Sequence, residues 1–273
     1  MLWHILDAYD GMLPGDVHVT FANTGKEHEA TLQFVNRCAT EWGVNVVWLE
    51  FDPASEHNTR ITDFENASRR GEPLRSIIES RPTAHLFNPV SRYCSVTAKA
   101  RRMQKFMHKT CGYERWHSAI GLRADEIGRV ERALKRAGRD RTTAFMPLAT
   151  AGVTKETVKE WWGHQPFDLT LPNVGGVTPM GNCVLCPLKS KAKLVNILRK
   201  HPAEAQWWVD QEYRMAERIK DVPWSGTGPE NRHRFFKDGT SYHDLLARAE
   251  KANIFNEEMD YGYDTGIDCN CTD

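Results

Sequence analysis

Two cysteines, Cys183 and Cys186, stand three residues apart in the run Gly181-Asn182-Cys183-Val184-Leu185-Cys186-Pro187, ahead of a lysine-rich stretch. Thiols at this spacing can share one metal ion or iron–sulfur cluster, or cycle between dithiol and disulfide. A structural zinc needs four ligands, yet no second CxxC or HxxxH lies nearby, and His164 and His201 are isolated. A thioredoxin-like pair opens a helix after a strand, whereas residues 172–180 read as loop. A third thiol, Cys94, precedes a basic helix whose first amides could face an anion or lower a thiol pKa. Two more, Cys269 and Cys271, sit in the terminal run Asp268-Cys269-Asn270-Cys271-Thr272-Asp273, where the flanking carboxylates raise a thiol pKa.

Cations form the second set. Lys99 follows Cys94 by five residues, Arg123 comes just past an apolar run, and Arg129 lies in the helix after it. Guanidinium forks match phosphate and sulfate oxygens, and ion pairing with Asp125, Glu126 or Glu131 is the competing role. Arg101, Arg102 and Lys105 read as a solvated helix face, as do Lys189, Lys191, Lys193, Arg199 and Lys200, although the latter stretch could approach a nucleic-acid backbone. Trp161-Trp162 and Trp207-Trp208 read as core rather than as a base-stacking platform.

The elements that must position these groups alternate. Residues 2–9 read as a short helix. Residues 16–22 read as a strand ending in Asn23-Thr24-Gly25, with a helix over 27–43 and a nearly continuous apolar strand at 45–51 to follow. Residues 52–73 are polar and read as a surface excursion. Helices are expected at 74–79 and 95–109, strands at 116–122 and 142–146, and a helix between them at 125–137. A Thr154-capped helix at 154–162 and helices near 188–200, 203–219 and 242–252 complete the chain. The expected fold class is α/β: a parallel twisted sheet with helices on both faces in residues 1–150, a helical subdomain carrying the CxxC in 151–255, and a mobile acidic tail in 256–273. Such sheets bind ligands beyond the carboxyl ends of their strands, where Asn23-Thr24-Gly25 and Gly121-Leu122-Arg123 both fall.

Composition narrows the setting. The 273 residues carry 36 Lys+Arg against 36 Asp+Glu, so net charge makes no case for nucleic-acid binding. Seven cysteines without an export-type signal argue for thiol or metal chemistry rather than a disulfide framework. No apolar run approaches the ~18 residues of a membrane span, and the expected location is the cytoplasm.

Four ordered blocks carry a family resemblance: Phe21-Ala22-Asn23-Thr24-Gly25-Lys26-Glu27; Arg92-Tyr93-Cys94 with Lys99; Gly121-Leu122-Arg123-Ala124-Asp125-Glu126 with Arg129; and the CxxC run. Together they resemble the phosphoadenosine-phosphosulfate (PAPS) reductase-like branch of the adenine-nucleotide alpha-hydrolase (PP-loop) superfamily, nearest its phage and prophage members. The resemblance implies an enzyme acting on an adenylyl or sulfonucleotide, or transferring sulfur at the expense of ATP. It implies that Asn23, Thr24 and Gly25 line the nucleotide site and that Lys99, Arg123 and Arg129 bind the anion. Cys94, Cys183 and Cys186 would hold a [4Fe–4S] cluster, with zinc or plain thiols as alternatives. Cys269 or Cys271 would be the nucleophile, in position only, of a reductase served by a thioredoxin-like donor. The substrate would be ATP or PAPS, with nucleic acid a further candidate and no membrane partner. A phage-encoded binding protein retaining the fold, or a zinc-stabilised accessory to nucleic-acid modification, are the other readings, and a phage origin implies the host cytoplasm.

The chain departs from that family in three places. Asn23 replaces the family's aspartate, and Ala30 stands where a glutamate often precedes Thr31. The superfamily's S-G-G-x-[DT]-S phosphate loop has no counterpart, and residues 1–6 resemble the helix that follows it. The expectation is a sheet without its first strand, a natural chain ~15–25 residues longer by the length of a strand and turn, and weak or no adenine-nucleotide binding by residues 1–273.

Overall fold

A computed structural model describes residues 1–136, 141–174, 178–222 and 231–254. In chain order its elements are α1 (Leu2–Ala8), β1 (Val19–Ala22), α2 (Glu29–Glu41), β2 (Val46–Phe51), a 3-10 turn (Glu56–Asn58), β3 (Thr59–Thr62) and α3 (Glu72–Ser80). Helix α4 follows, an α-helical centre (Arg101–Lys105) between π-helical turns at Ser95–Ala100 and Phe106–Thr110. Then come β4 (Trp116–Ala119), α5 (Ile127–Arg136), β5 (Thr142–Phe145), α6 (Pro147–Thr150), α7 (Lys155–Gly163), α8 (Lys191–Lys200), α9 (Ala205–Ile219) and α10 (Tyr242–Ile254). The described elements after β5 are all helical.

The strands form two small sheets. β1 and β2 run parallel, from Val19 opposite Val46 to Ala22 opposite Leu49, and β3 adds antiparallel to β2, with Trp48 opposite Thr62 and Phe51 opposite Thr59. β4 and β5 form a separate parallel pair, from Trp116 opposite Thr142 to Ala119 opposite Phe145. The chain is thus mixed α/β with short parallel pairings, not the single all-parallel sheet expected. The antiparallel β3 arises inside the supposed surface excursion. Its sequence Thr-Arg-Ile-Thr carries no apolar run, because it is a solvent-side edge whose Ile61 is half exposed, and it is held by backbone pairing.

Local signals explain most helices. The His28 ring accepts the Ala30 amide at the start of α2, which buries Ala30, Leu32 and Cys38 on one face. Thr154 and Thr157 form a reciprocal capping pair on α7, and the Ser190 hydroxyl caps α8. In α4 the widened first turn frees the Thr97 carbonyl, which accepts from Arg102 Nε at 2.9 Å. Arg102 is therefore buried, not on a solvated face: its guanidinium also reaches the carbonyls of His57 and Asn58 and the Thr59 hydroxyl, and burial lowers its pKa to about 10.

The main core joins α3 (Leu74, Ile77, Ile78), the segment Leu86–Phe87, the CxxC run, α8 (Leu194, Ile197, Leu198), α9 (Trp208, Met215), Phe235 and α10 (Tyr242, Leu245), drawing on residues either side of position 150. Trp207 and Trp208 are core, as expected, while half-buried Trp161 and Trp162 pack edge to face with each other and against Trp42 and Phe34. A buried carboxylate, Glu212 on α9, accepts the Phe235 and Tyr242 amides at 3.4 and 3.1 Å and Arg234 Nη1 at 3.2 Å. Burial raises its pKa to about 7 despite those bonds. No helix among the described residues is long and apolar enough to cross a membrane.

Candidate functional site

The turn after β1 is buried, Asn23 and Thr24 being 0% and 2% exposed. Two glycines make its close approach to α3 possible. Gly25 has φ +75°, and a β-carbon there would lie 2.9 Å from the Gly71 nitrogen, whose N–H donates to the Gly25 carbonyl at 2.8 Å. Gly71, at φ +76°, lies under the Trp207 indole, 2.5 Å from where its own β-carbon would be.

The surroundings of Asn23 call for an amide rather than a carboxylate. Its Nδ2 donates to Glu50 Oε1 at 2.6 Å and to the Ser68 carbonyl at 2.8 Å, while its Oδ1 accepts the Gly25 amide at 3.0 Å. Glu50 is itself 2% exposed and also accepts the Ser68 amide and hydroxyl at 2.6 and 2.8 Å. Only a neutral side chain with donors fits between two acceptors there.

Thr24 connects this turn to the CxxC. Its hydroxyl donates to Glu27 Oε2 at 2.7 Å, and its amide donates to the same oxygen at 3.0 Å. A carboxylate only accepts, so the one hydroxyl proton is committed to Glu27. Cys183 Sγ lies 3.3 Å from Thr24 Oγ1, and in this arrangement the thiol is the donor. The result is an ordered line, S–H to O–H to carboxylate. Lys99 Nζ stands 3.4 Å from the other oxygen, Glu27 Oε1, and both side chains are largely buried.

Backbone pairing fixes the geometry. Glu27 and Cys183 form an antiparallel bridge, and the Val184 amide donates to the Lys26 carbonyl at 2.9 Å. Asn182, at φ +55°, turns the chain into a tight bend in which the Cys186 amide reaches the Cys183 carbonyl at 3.1 Å. Lys189 Nζ then donates to the carbonyls of Cys183 and Val184 at 2.8 and 2.7 Å, and the buried Tyr242 phenol donates to the Leu185 carbonyl. Lys189 is thus a pin of the bend, and Lys193 is 4% exposed, so neither belongs to a solvated face. A cleft of about 200 Å³, lined by Lys26, Glu27, Arg69, Val184 and Glu204, opens beside the site.

The other expected residues divide. Cys94 is half buried and packs against the same core that contains Cys183 and Cys186. Among the described residues, no group of three or more His, Cys, Asp or Glu side chains is arranged to hold a metal ion. Arg123 pairs with Asp125 at 3.0 Å and Glu126 at 3.5 Å, and Arg129 also pairs with Glu126. Cys38 and Cys111 have thiols pushed up by burial, Cys38 to about 11. Cys269 and Cys271 lie outside the described residues. Glu27 is marked in the sequence by the spacing Thr24-x-x-Glu27, in which a carboxylate reaches back to an amide three residues earlier.

Comparison with known proteins adds one relative. The chain is 27% identical over 183 residues, 66% of its length, to the uncharacterized nin region protein ORF290 of Escherichia phage lambda, and the match spans 59% of that protein. No family model matches the sequence. No solved structure matches it.

Proposed function

We propose that this protein is a thiol enzyme of the PAPS reductase-like kind, on a PP-loop-type α/β fold, acting on an anionic adenylyl or sulfonucleotide. The observation that carries the reading is the 3.3 Å approach of Cys183 Sγ to Thr24 Oγ1, which joins a thiol to a nucleotide-type strand-end turn and to a buried carboxylate. In this reading Cys183 passes its proton through Thr24 to Glu27, and its thiolate attacks the sulfonate sulfur. The S–O bond to the nucleotide breaks, the nucleotide leaves with that electron pair, and Cys183 carries an S-sulfonate. Cys186, three residues on, attacks the Cys183 sulfur as thiolate; sulfite leaves and a Cys183–Cys186 disulfide forms. A thioredoxin-like dithiol would then reduce it. This assigns to the CxxC the roles that the resemblance alone gives to Cys269 or Cys271. A phage-encoded protein of this kind would act in the host cytoplasm.

The test is sulfite release from PAPS by the reduced full-length protein, with mass spectrometry of the Cys183 peptide after substrate and no reductant. Sulfite together with an S-sulfonate or disulfide on Cys183 is expected, and both should vanish in Cys183→Ser. If PAPS and ATP neither modify Cys183 nor protect it from alkylation, the reading fails. An anaerobic preparation with broad absorbance near ~400 nm that is lost in Cys94→Ser would instead assign the thiols to a cluster.

A further inference from the structure

A second cleft lies elsewhere, against α4. It measures about 580 Å³, and its cationic walls are Arg101, Arg102 and Lys105 from α4 and Arg141 from the start of β5, joined by His57 and His108. Among the described residues, no Asp or Glu lines it. In a chain whose charges cancel overall, this is a local excess of one sign in a concave place, where field lines are focused. Two carboxylates stand at the rim: Glu56, 3.2 Å from His57, and Glu114, which pairs with Arg141 and lies 3.7 Å from His108. Arg101 and Lys105 sit in the wall as exposed cations, one helical turn apart. Arg102 is the structural base of the cleft, tied down by the carbonyls of residues 57 and 58.

One aromatic completes the set. Trp116, at the head of β4, lies on the same wall and is partly exposed. Cations spaced along a groove, with a partly open indole among them, match what a flexible phosphodiester needs: charge for the backbone and a flat face for a base. The opening is too large for a single phosphate, and Trp116 is the one large apolar side chain among its described lining residues.

We infer that the α4 cleft binds a single-stranded nucleic acid, with Arg101, Lys105 and Arg141 on phosphates and Trp116 under a base. This site shares no lining residue with the cleft at Glu27 and does not depend on the reading of the thiol site.

The test is fluorescence anisotropy of a labelled oligothymidylate of about 20 nucleotides, titrated with the full-length protein across a salt series. The expected log–log salt dependence is steep, and R101E/K105E should weaken binding roughly tenfold or more and reduce the slope by about 1.4, at ~0.7 per lost phosphate contact. Both positions are exposed, so the fold is retained, which circular dichroism checks. Trp116→Ala should weaken binding about tenfold with the slope unchanged, because stacking carries no counterion release. Cys183→Ser should bind like wild type. The inference is overturned if the oligonucleotide does not bind at low salt, if R101E/K105E binds as wild type does, or if inorganic phosphate at equal charge competes as well as the oligonucleotide.

Discussion

An aspartate at position 23 should destabilise this protein, and more so at neutral than at acid pH. In Asn23→Asp, a carboxylate replaces the amide nitrogen that now sits 2.6 Å from Glu50 Oε1 and 2.8 Å from the Ser68 carbonyl. Two like charges 2.6 Å apart repel by about 6 kcal/mol even at an effective dielectric of ~20. Taking up a proton is cheaper. Holding an ordinary carboxyl, pKa ~3.9, protonated at pH 7 costs about 4 kcal/mol. The new O–H bond to Glu50 returns about 1.5–3 kcal/mol, and the abandoned Ser68 carbonyl costs about 1–3 kcal/mol, so these two nearly cancel. The net loss is about 4 kcal/mol at pH 7. The folded variant binds the extra proton and the unfolded one does not, so the loss grows as pH rises above ~3.9, by about 1.4 kcal/mol per pH unit until the folded pKa is reached. Urea denaturation of wild type and variant at pH 5 and pH 7 measures it, and groups titrating alike in both proteins cancel in the difference. The expected gap narrows from about 4 to about 1–2 kcal/mol on acidification. A variant within 1 kcal/mol of wild type at both pH values would refute the donor role of Asn23.

Three further outcomes follow from the same geometry. Thr24→Val removes the hydroxyl between Cys183 and Glu27 and should slow alkylation of the Cys183 peptide at neutral pH by about 10²-fold, with Thr24→Ser restoring it; equal rates would remove the relay. Glu212, held near pKa 7 by burial, keeps its proton longer in the folded state than unfolded, so its stabilisation is complete below the ordinary carboxylate range and is lost as pH rises toward 7. Wild type should lose about 3 kcal/mol between pH 4.5 and 7 relative to Glu212→Gln, whose carbonyl can still accept from Tyr242 and Arg234; parallel pH profiles would contradict this. Gly71→Ala adds a β-carbon 2.5 Å from the Trp207 ring at a left-handed φ and should cost about 2–4 kcal/mol, read as a shifted thermal midpoint.

Much of the secondary structure was legible because it rests on local pattern. The apolar run 45–51 announced β2, the spacing of Leu32, Val35 and Ala39 announced α2, and Thr154 announced the start of α7. β3 was not, since an exposed edge needs no apolar residues of its own. The division into two sheets was also out of reach, because strand partners are chosen by long-range pairing rather than by composition. At the site, the thiols and the Asn-Thr-Gly turn could be named but not joined: Thr24 and Cys183 meet across 159 residues of chain. Arg102, Lys189 and Lys193 were misjudged as surface cations for a related reason. Residue type sends a cation outward by default, and only a three-dimensional cluster of carbonyls draws one in.

The bridge between Glu27 and Cys183 sets an order in time. On the ribosome, the first helices and strands emerge long before the bend that seals them, and until residue 186 has been made Thr24 and Glu27 have no thiol to serve. An amino-terminal fragment would carry the nucleotide-type turn as an open edge, with the Lys26 carbonyl unpaired. In the proposed reading, the thiol chemistry therefore waits on the bend at residues 181–187, whose docking on the turn after β1 converts a scaffold into a reactive centre.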